Sequence, residues 1–409
     1  MKILYFSNIS FTPNSYNGGG WIFSTIKEMQ KAGNECAVCF LDEEDKKSII
    51  NSLICYSIKG HNGGSVYKKI MHRVKLLFGN NINVEKKTWP YYEKKFISII
   101  ADFKPDVIHI FGSEMQYGLI GSKTNIPVVL HIQGLINPYE NALLPPSFSW
   151  ENICKPFNLF SFLDLRISKR IWQMNSFRER EILKRVNNYI GRTIWDERVI
   201  RCFNKDVNYF YGSEILREDF YENSVRCAPS GLKIVSTISS PMYKGFDMIL
   251  KTANVLRNYI NVDFEWIVYG NVRPTIIEKL VGIRHNDVNV VLGGVVTGNK
   301  LKESLLNSTC YMHPSYIDNS PNSVCEAQIL GVPVVSCNVG GVSSLIEENV
   351  TGFLVPSNDP YQAAFLICKL FKDQSLNKEI GKNSKKISYQ RHDKSHICQQ
   401  LLSVYKTLK

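Results

Sequence analysis

The sequence predicts an α/β protein with two open, mostly parallel sheets. Three observations point to this. Short apolar runs recur along the chain with helical stretches between them, the order that builds a parallel sheet covered by helices. These runs fall into two series separated near residues 216–231. At 409 residues the chain is also too long for one ordinary core.

In the first series, Ile3 to Ser7 reads as a buried strand, and Trp21 to Ala32 as a helix stopped by Gly33. Ala37 to Leu41 is the next strand. Asp106 to Phe111 and Val128 to Ile132 each follow a proline, and Asn188 to Gly191 closes the series. The second series comprises Leu232 to Ser236, Phe264 to Tyr269, Val288 to Leu292, Cys310 to His313 and Val334 to Ser336. The expected domains are therefore 1–215 and 216–392. A final helix from about Asp393 to Leu408 places Ile397, Leu401, Leu402 and Tyr405 on one face.

Composition narrows the class. A hydrophobic content of 44% with 21% charged residues is globular, and no window approaches eighteen uninterrupted apolar residues. The opening Met1-Lys2-Ile3-Leu4-Tyr5-Phe6-Ser7-Asn8 turns polar too quickly for a secretory signal, so a cytosolic protein is expected. Of eleven scattered cysteines only Cys36 and Cys39 are spaced C-x2-C, without a second pair or clustered histidines. Buried free thiols fit better than a zinc or redox site. No metal ligand set and no cofactor is expected.

The stretch from His313 to Gln328 holds two carboxylates, Asp318 and Glu326, eight residues apart across an expected helix start. Ser320 suits an N-cap and Pro321 the first helical position, leaving Asp318 in the preceding loop. The amides of Asn322, Ser323 and Val324 then face outward at the positive end of the helix dipole, a ready anion site. Glu326 lies about a turn and a half further in, where it can accept from a pair of hydroxyls. Gly331 and Pro333 end the helix before the strand at Val334. After that strand come Gly340-Gly341, Glu347-Glu348 and Thr351-Gly352-Phe353-Leu354-Val355-Pro356.

This block, His313 to Pro356, resembles the signature of the family 4 retaining glycosyltransferases, in which Glu, seven residues and Glu occupy this helix. Asp318 stands where that family usually has Glu, so its contact loses about one methylene of reach. The resemblance implies the GT-B fold, two Rossmann-like domains facing across a cleft with the last helix returning to the first domain. It also implies a nucleotide-sugar donor, with UDP-sugar favoured, held mainly by the second domain, and retention of anomeric configuration. Under it, Glu326 contacts the ribose, and Asn319, Ser320 and the amides beyond them contact the donor. Gly270, Gly294 and Val295, at two further strand ends, are also donor contacts.

Lys244-Gly245 follows the first strand of the second domain and opens the next helix; it matches the Lys-Gly that many members use for phosphate contact. The arginine usually found a few residues earlier is missing from Ser236 to Pro241. In the first domain, Gly18-Gly19-Gly20 lies between a strand and a helix, where bare backbone can approach a phosphate or sugar. It fails the G-x-G-x-x-G pattern, which argues against a nicotinamide-dependent oxidoreductase. The family's sugar-contacting histidine aligns with Gln133, one residue before Gly134; Lys244, Asp318 and Gln133 are thus the catalytic candidates. His131, on the same face of an extended strand, is either an interior histidine or a base.

Gly191-Arg192-Thr193-Ile194-Trp195-Asp196, together with Tyr211 to Arg217, resembles a bacterial surface-polysaccharide subgroup of the family. Arg192 either contacts the diphosphate or acceptor, or pairs with Asp196 or Glu197. The subgroup implies a lipid-linked acceptor, as in capsule or O-antigen assembly. Net charge is +12, with the excess concentrated in the first domain. Residues 59–95 hold nine basic residues against Glu85 and Glu93, among apolar side chains, and residues 157–172 mix the two kinds similarly. Each segment is either a rest for an anionic membrane surface or a solvated helix face. No nucleic-acid-binding module accompanies the charge. Two rivals share the donor site: a nucleotide-sugar epimerase or hydrolase, and a non-catalytic nucleotide-sugar-binding subunit.

Overall fold

The computed structural model describes residues 1–11, 20–61, 73–74, 77–79, 81–154, 159–222, 224–227, 229–239 and 242–409. The chain forms two compact units. One comprises Met1–Glu140, Phe157–Ile215 and Lys394–Lys409; the other comprises Asn141–Pro156 and Leu216–Asp393. Sequence reading left residues 141–156 in the first domain. They group with the second unit because Phe148 packs against its core and the short helix Trp150–Cys154 contacts the helix Pro274–Val281.

The first unit contains β1 (Lys2–Phe6), β2 (Glu35–Asp42), β3 (Lys46–Ile50), β4 (Leu53–Lys59), β5 (Val107–Phe111), β6 (Val128–His131), β7 (Asn188–Gly191) and β8 (Asn208–Tyr211). Their order is β3-β4-β2-β1-β5-β6-β7-β8, parallel except where β3 pairs antiparallel with β4. β1, β5 and β6 are almost wholly buried, as a sheet covered on both faces requires. Helix α1 (Gly20–Lys31) buries Trp21, Ile22, Thr25, Ile26 and Met29, an i, i+4 stripe. The helix Trp89–Phe103 buries Trp89, Tyr92, Phe96, Ile100 and Phe103 in the same way. It ends where Lys104 turns left-handed ahead of Pro105.

Strands β3, β4 and β8 were not expected. β3 and β8 are edge strands with exposed and half-exposed side chains, so they lack the apolar run that marks a central strand. Asn51 and Ser52 both have positive φ at the β3–β4 turn, a hairpin geometry that an Asn-Ser pair announces weakly. Cys36 and Cys39 lie buried and free in β2.

The second unit contains β9 (Leu232–Thr237), β10 (Phe264–Tyr269), β11 (Val290–Gly294), β12 (Cys310–His313), β13 (Val334–Cys337) and β14 (Gly352–Val355). Every pairing is parallel, in the order β11-β10-β9-β12-β13-β14. The order reverses between β9 and β12, and ligands of open α/β sheets bind outside the carboxyl ends at such a switch. The strand expected from Val288 begins at Val290, because His285–Val288 forms a 3₁₀ turn closed by left-handed Asn289.

The last helix of the chain, Lys394–Leu408, is written α14. It belongs to the first unit and buries Ile397, Leu401, Val404 and Tyr405. Val404 takes the place on the buried face expected of Leu402, which is half-buried. The Tyr405 hydroxyl lies 2.6 Å from His109 Nδ1 on β5. Among the described residues no helix is long and apolar enough to cross a membrane.

Candidate functional site

In the second unit, the loops after β9 and β12 meet at the strand-order switch. Gly245 has φ of +79°, and a Cβ there would collide with the Pro314 carbonyl oxygen, so the two loops touch through bare backbone. Tyr316 donates its N–H to the Tyr243 carbonyl at 2.7 Å and its hydroxyl to Asp247 at 2.8 Å. This clasp brings the Lys244 Nζ to 2.7 Å from Asp318 Oδ2, although the residues are 74 apart in sequence.

Asp318 is 6% exposed. His313 Nε2 lies 3.2 Å from its Oδ2, and the Asn319 N–H donates to its Oδ1 at 3.2 Å. Burial works to raise its pKa, but Lys244 and His313 outweigh burial and hold it well below the usual carboxylate range. Burial likewise works against the charge on Lys244, and Asp318 reverses this, raising the ammonium to about 12. Burial holds the His313 imidazole below its ordinary value against the upward pull of Asp318. At neutral pH the site therefore holds an ammonium–carboxylate pair beside a neutral imidazole. Gly341 donates to the Asp318 carbonyl at 3.0 Å, and a Cβ on Gly340 would strike that same oxygen. This explains the glycine pair in the motif.

Helix α11 (Asn322–Ile329) starts one residue later than expected. Pro321, with ψ of 119°, takes the N-cap position expected of Ser320. The Val324 N–H bonds the Pro321 carbonyl at 3.0 Å, so Val324 is withdrawn from the expected set of outward amides. Asn322 and Ser323, the first two helical residues, precede any intrahelical acceptor. Asn319 and Ser320 are buried. Glu326, expected to await hydroxyls, receives the Arg217 guanidinium: Nε and Nη2 donate to its two oxygens at 2.8 Å each. At the neighbouring strand ends, Gly270 (φ +115°) donates its N–H to the Gly294 carbonyl at 2.8 Å; Val295 is exposed.

Of the first-unit candidates, Gly18 and Gly19 lie outside the described residues, and Gly20 begins α1. β6 ends at His131, the Ile132 N–H still bonds the Ile190 carbonyl at 2.8 Å, and Gln133 lies in the bend that follows. His131 is buried, with Nδ1 3.2 Å from His109 Nε2. Burial lowers the pKa of both imidazoles, that of His109 to about 3. Gln133 sits in the loop after β6. That loop is pinned where Glu179 accepts the N–H groups of Ile136 and Asn137 at 2.8 Å each.

The Arg192 guanidinium lies 4.3 Å over the Trp21 ring, and its Nε is 3.3 Å from Glu214. Of the two alternatives for Arg192, the ion pair is made, but with Glu214 and not with Asp196 or Glu197. Asp196 instead accepts the backbone N–H of Arg192 at 3.0 Å, while Glu197 pairs with Arg201 at 2.9 Å. Thr193 caps the helix Ile194–Phe203 through the Asp196 N–H, which fixes Asp196 beneath Arg192.

Comparison with known proteins gives a family match over this unit. Residues 232–387, spanning all six strands of the second sheet and the whole Lys244–Asp318 site, match the family model described as glycosyl transferases group 1. The second unit carries a glycosyl transferases group 1 domain. The capsular polysaccharide biosynthesis glycosyltransferase CapM of Staphylococcus aureus is 34% identical over 101 residues, 25% of this chain and 27% of CapM. The first curated relatives are matched over about a third of their length or less. Over its whole length the chain superposes on sucrose-phosphate synthase from Thermosynechococcus elongatus, with a TM-score of 0.70 at 16% identity and 98% coverage of that chain. It also superposes on Anabaena HepE in complex with UDP-glucose, with a TM-score of 0.61 at 15% identity and 100% coverage of both chains. The fold is GT-B.

Within the second unit, sequence reading gave no role to three side chains that shape the site. His313 had a signal, since it ends a buried strand five residues before Asp318. Asp247 had a weaker one, an acidic residue just inside a helix start. Arg217 closed the Tyr211 to Arg217 resemblance, but its pairing had no local signal, because its partner lies 109 residues away.

Proposed function

We propose that the protein is a metal-independent retaining glycosyltransferase. It moves a hexosyl-type sugar from a nucleotide-sugar, with UDP-sugar favoured, to a hydroxyl of a growing, lipid-linked surface polysaccharide. The observation that carries this reading is Lys244, held 2.7 Å from Asp318 at the strand-order switch of the group 1 domain and tied through that loop to the start of α11. A fixed ammonium beside helix-start amides suits a diphosphate, whose charge grows as the sugar–phosphate bond breaks. Lys244 and the amides of Asn322 and Ser323 hold that diphosphate, and Glu326 reads the ribose. Asp318 keeps Lys244 in place and orients the sugar. The departing phosphate oxygen takes the proton of the acceptor hydroxyl. The capsular role named for CapM supports the acceptor class, and the UDP-glucose complex of HepE supports the donor class.

The same reading places the protein in the cytosol against the inner face of the membrane. The two basic, apolar segments noted in the sequence meet in the first unit. Arg73 pairs with Asp164 at 2.7 Å, Arg170 donates to the Gly79 carbonyl at 3.1 Å, and Leu77 packs on Ile167 and Met174. Phe78, 82% exposed, is available to an anionic lipid surface. Sedimentation should recover more protein with phosphatidylglycerol vesicles than with phosphatidylcholine vesicles, and Phe78→Asp should abolish the difference.

A thermal-shift screen with UDP, GDP, ADP and their sugars tests the donor, because a ligand that binds only the folded state raises the melting temperature. NMR of the product made with lipid-linked acceptor in EDTA tests the rest. An axial donor linkage must give an axial product, and inversion or a metal requirement overturns the mechanism. Donor turnover without acceptor would mark a hydrolase or epimerase instead.

A further inference from the structure

Arg217 opens the second unit and sends both nitrogens of one guanidinium edge to the two oxygens of Glu326, at 2.8 Å each. A two-point fork of this kind fixes the plane of a carboxylate as well as its position, which a lysine ammonium cannot do. The backbone behind the fork is itself tied down. Leu216 donates its N–H to the Tyr221 hydroxyl at 3.0 Å, and that hydroxyl donates to the His392 carbonyl at 2.7 Å. Phe220 lies 4.9 Å beneath the guanidinium. Gly298, which begins the helix Gly298–Leu306, leaves room for this arrangement, since a Cβ there would lie 2.6 Å from Asp219 Oδ2 and 3.3 Å from Arg217 Nη1.

The Glu326 side chain is 6% exposed and that of Arg217 25%. A buried carboxylate whose plane is fixed offers its acceptor directions at set angles, so it can measure the spacing of two adjacent hydroxyls. We propose that Arg217 is a positioning residue for nucleotide selection: by fixing the plane of Glu326, it makes the second unit choose a ribose over a 2′-deoxyribose. This rests on the reading of that unit as the nucleotide-sugar domain. Arg217 acts on the nucleotide through Glu326.

Titration calorimetry of the full chain with UDP and 2′-deoxy-UDP, or with the guanosine or adenosine pair if that base binds better, tests the proposal. The wild type should bind the ribonucleotide at least about tenfold more tightly, since a site built to bond a hydroxyl rejects the analogue that lacks it. Arg217→Lys keeps the charge but loses the fork, and should shrink the ratio to about threefold or less. An unchanged ratio overturns the proposal, including the case in which both affinities fall together, because that is what a merely structural arginine would give. Wild-type protein that binds none of the three nucleoside diphosphates overturns the nucleotide reading and the proposal with it. If Arg217→Lys fails to fold, the double variant Arg217→Gln with Glu326→Gln removes both charges at once. It should bind the two nucleotides about equally, and retained discrimination overturns the proposal.

Discussion

Asp318 shows how one methylene changes the chemistry available at a site. Its short carboxylate closes on Lys244 at 2.7 Å and lies 3.2 Å from His313. Breaking a buried pair leaves an uncompensated charge, so Asp318→Asn should destabilise the second unit by roughly 3 kcal/mol in urea unfolding. Asp318→Glu should also lower activity, because the added methylene has to enter a space bounded by His313, Lys244 and Ser315. The pair also sets a pH window. The folded-state pKa of Asp318 lies below its ordinary 3.8, so its contribution is present above that value and is lost as pH falls below it. That of Lys244 is raised from 10.5 to about 12, so its contribution is complete below 10.5 and fades toward 12. The excess stability of wild type over Asp318→Asn should therefore be flat through neutral pH and shrink at both extremes; an excess that changes between pH 6 and 8 would contradict this. In the first unit, Arg192→Lys should weaken stability measurably, since Lys lacks the planar guanidinium that stacks on Trp21 beside Glu214.

At the scale of elements, the site is a junction of loops, and its glycines are the contact points. Gly245 and Gly340 both have positive φ, and each leaves no room for a Cβ against a carbonyl oxygen, that of Pro314 and that of Asp318 respectively. Gly294 also has positive φ, but nothing lies within 4 Å of its Cβ position. Alanine at Gly245 or Gly340 should therefore cost several kcal/mol and shift the Lys244–Asp318 pair, whereas Gly294→Ala should cost only about 1–2 kcal/mol of backbone strain. Thermal unfolding of the three variants distinguishes steric contact from backbone conformation. Equal losses would show that φ alone matters.

For the whole molecule, the order of the chain and the membership of the units differ. Residues 394–409 follow the second unit in sequence yet belong to the first, where Tyr405 meets His109 at 2.6 Å. Burying a side chain such as Ile397 or Leu401 contributes about 1.5–3 kcal/mol, so α14 is a substantial part of the first unit's core. Tyr405→Phe should cost about 1–3 kcal/mol by leaving a buried imidazole nitrogen without its hydroxyl partner. Ending the chain at residue 393 should lower the first unit's unfolding temperature, and hydrogen exchange should report the loss at β1 and β5. Unchanged protection there would mean that α14 adds nothing to that sheet.

What the sequence determined by itself was whatever depends on neighbours along the chain. The central strands, the main helices and the division into two sheets were legible from apolar runs punctuated by Gly and Pro, because burial on both faces leaves a local signature. Edge strands β3 and β8 were not, since half-exposed residues carry no such run. The block from His313 to Pro356 identified the site region, but not its pairing. Whether Pro321 begins the helix or caps it depended on a ψ of 119°, which its ring leaves undetermined. The tertiary structure alone decided that Lys244 meets Asp318, that Arg192 meets Glu214 and that Arg217 meets Glu326. Each pair joins residues far apart in sequence that the fold brings together, and the energy of a charge depends on what stands within a few ångströms of it, not on its place in the chain.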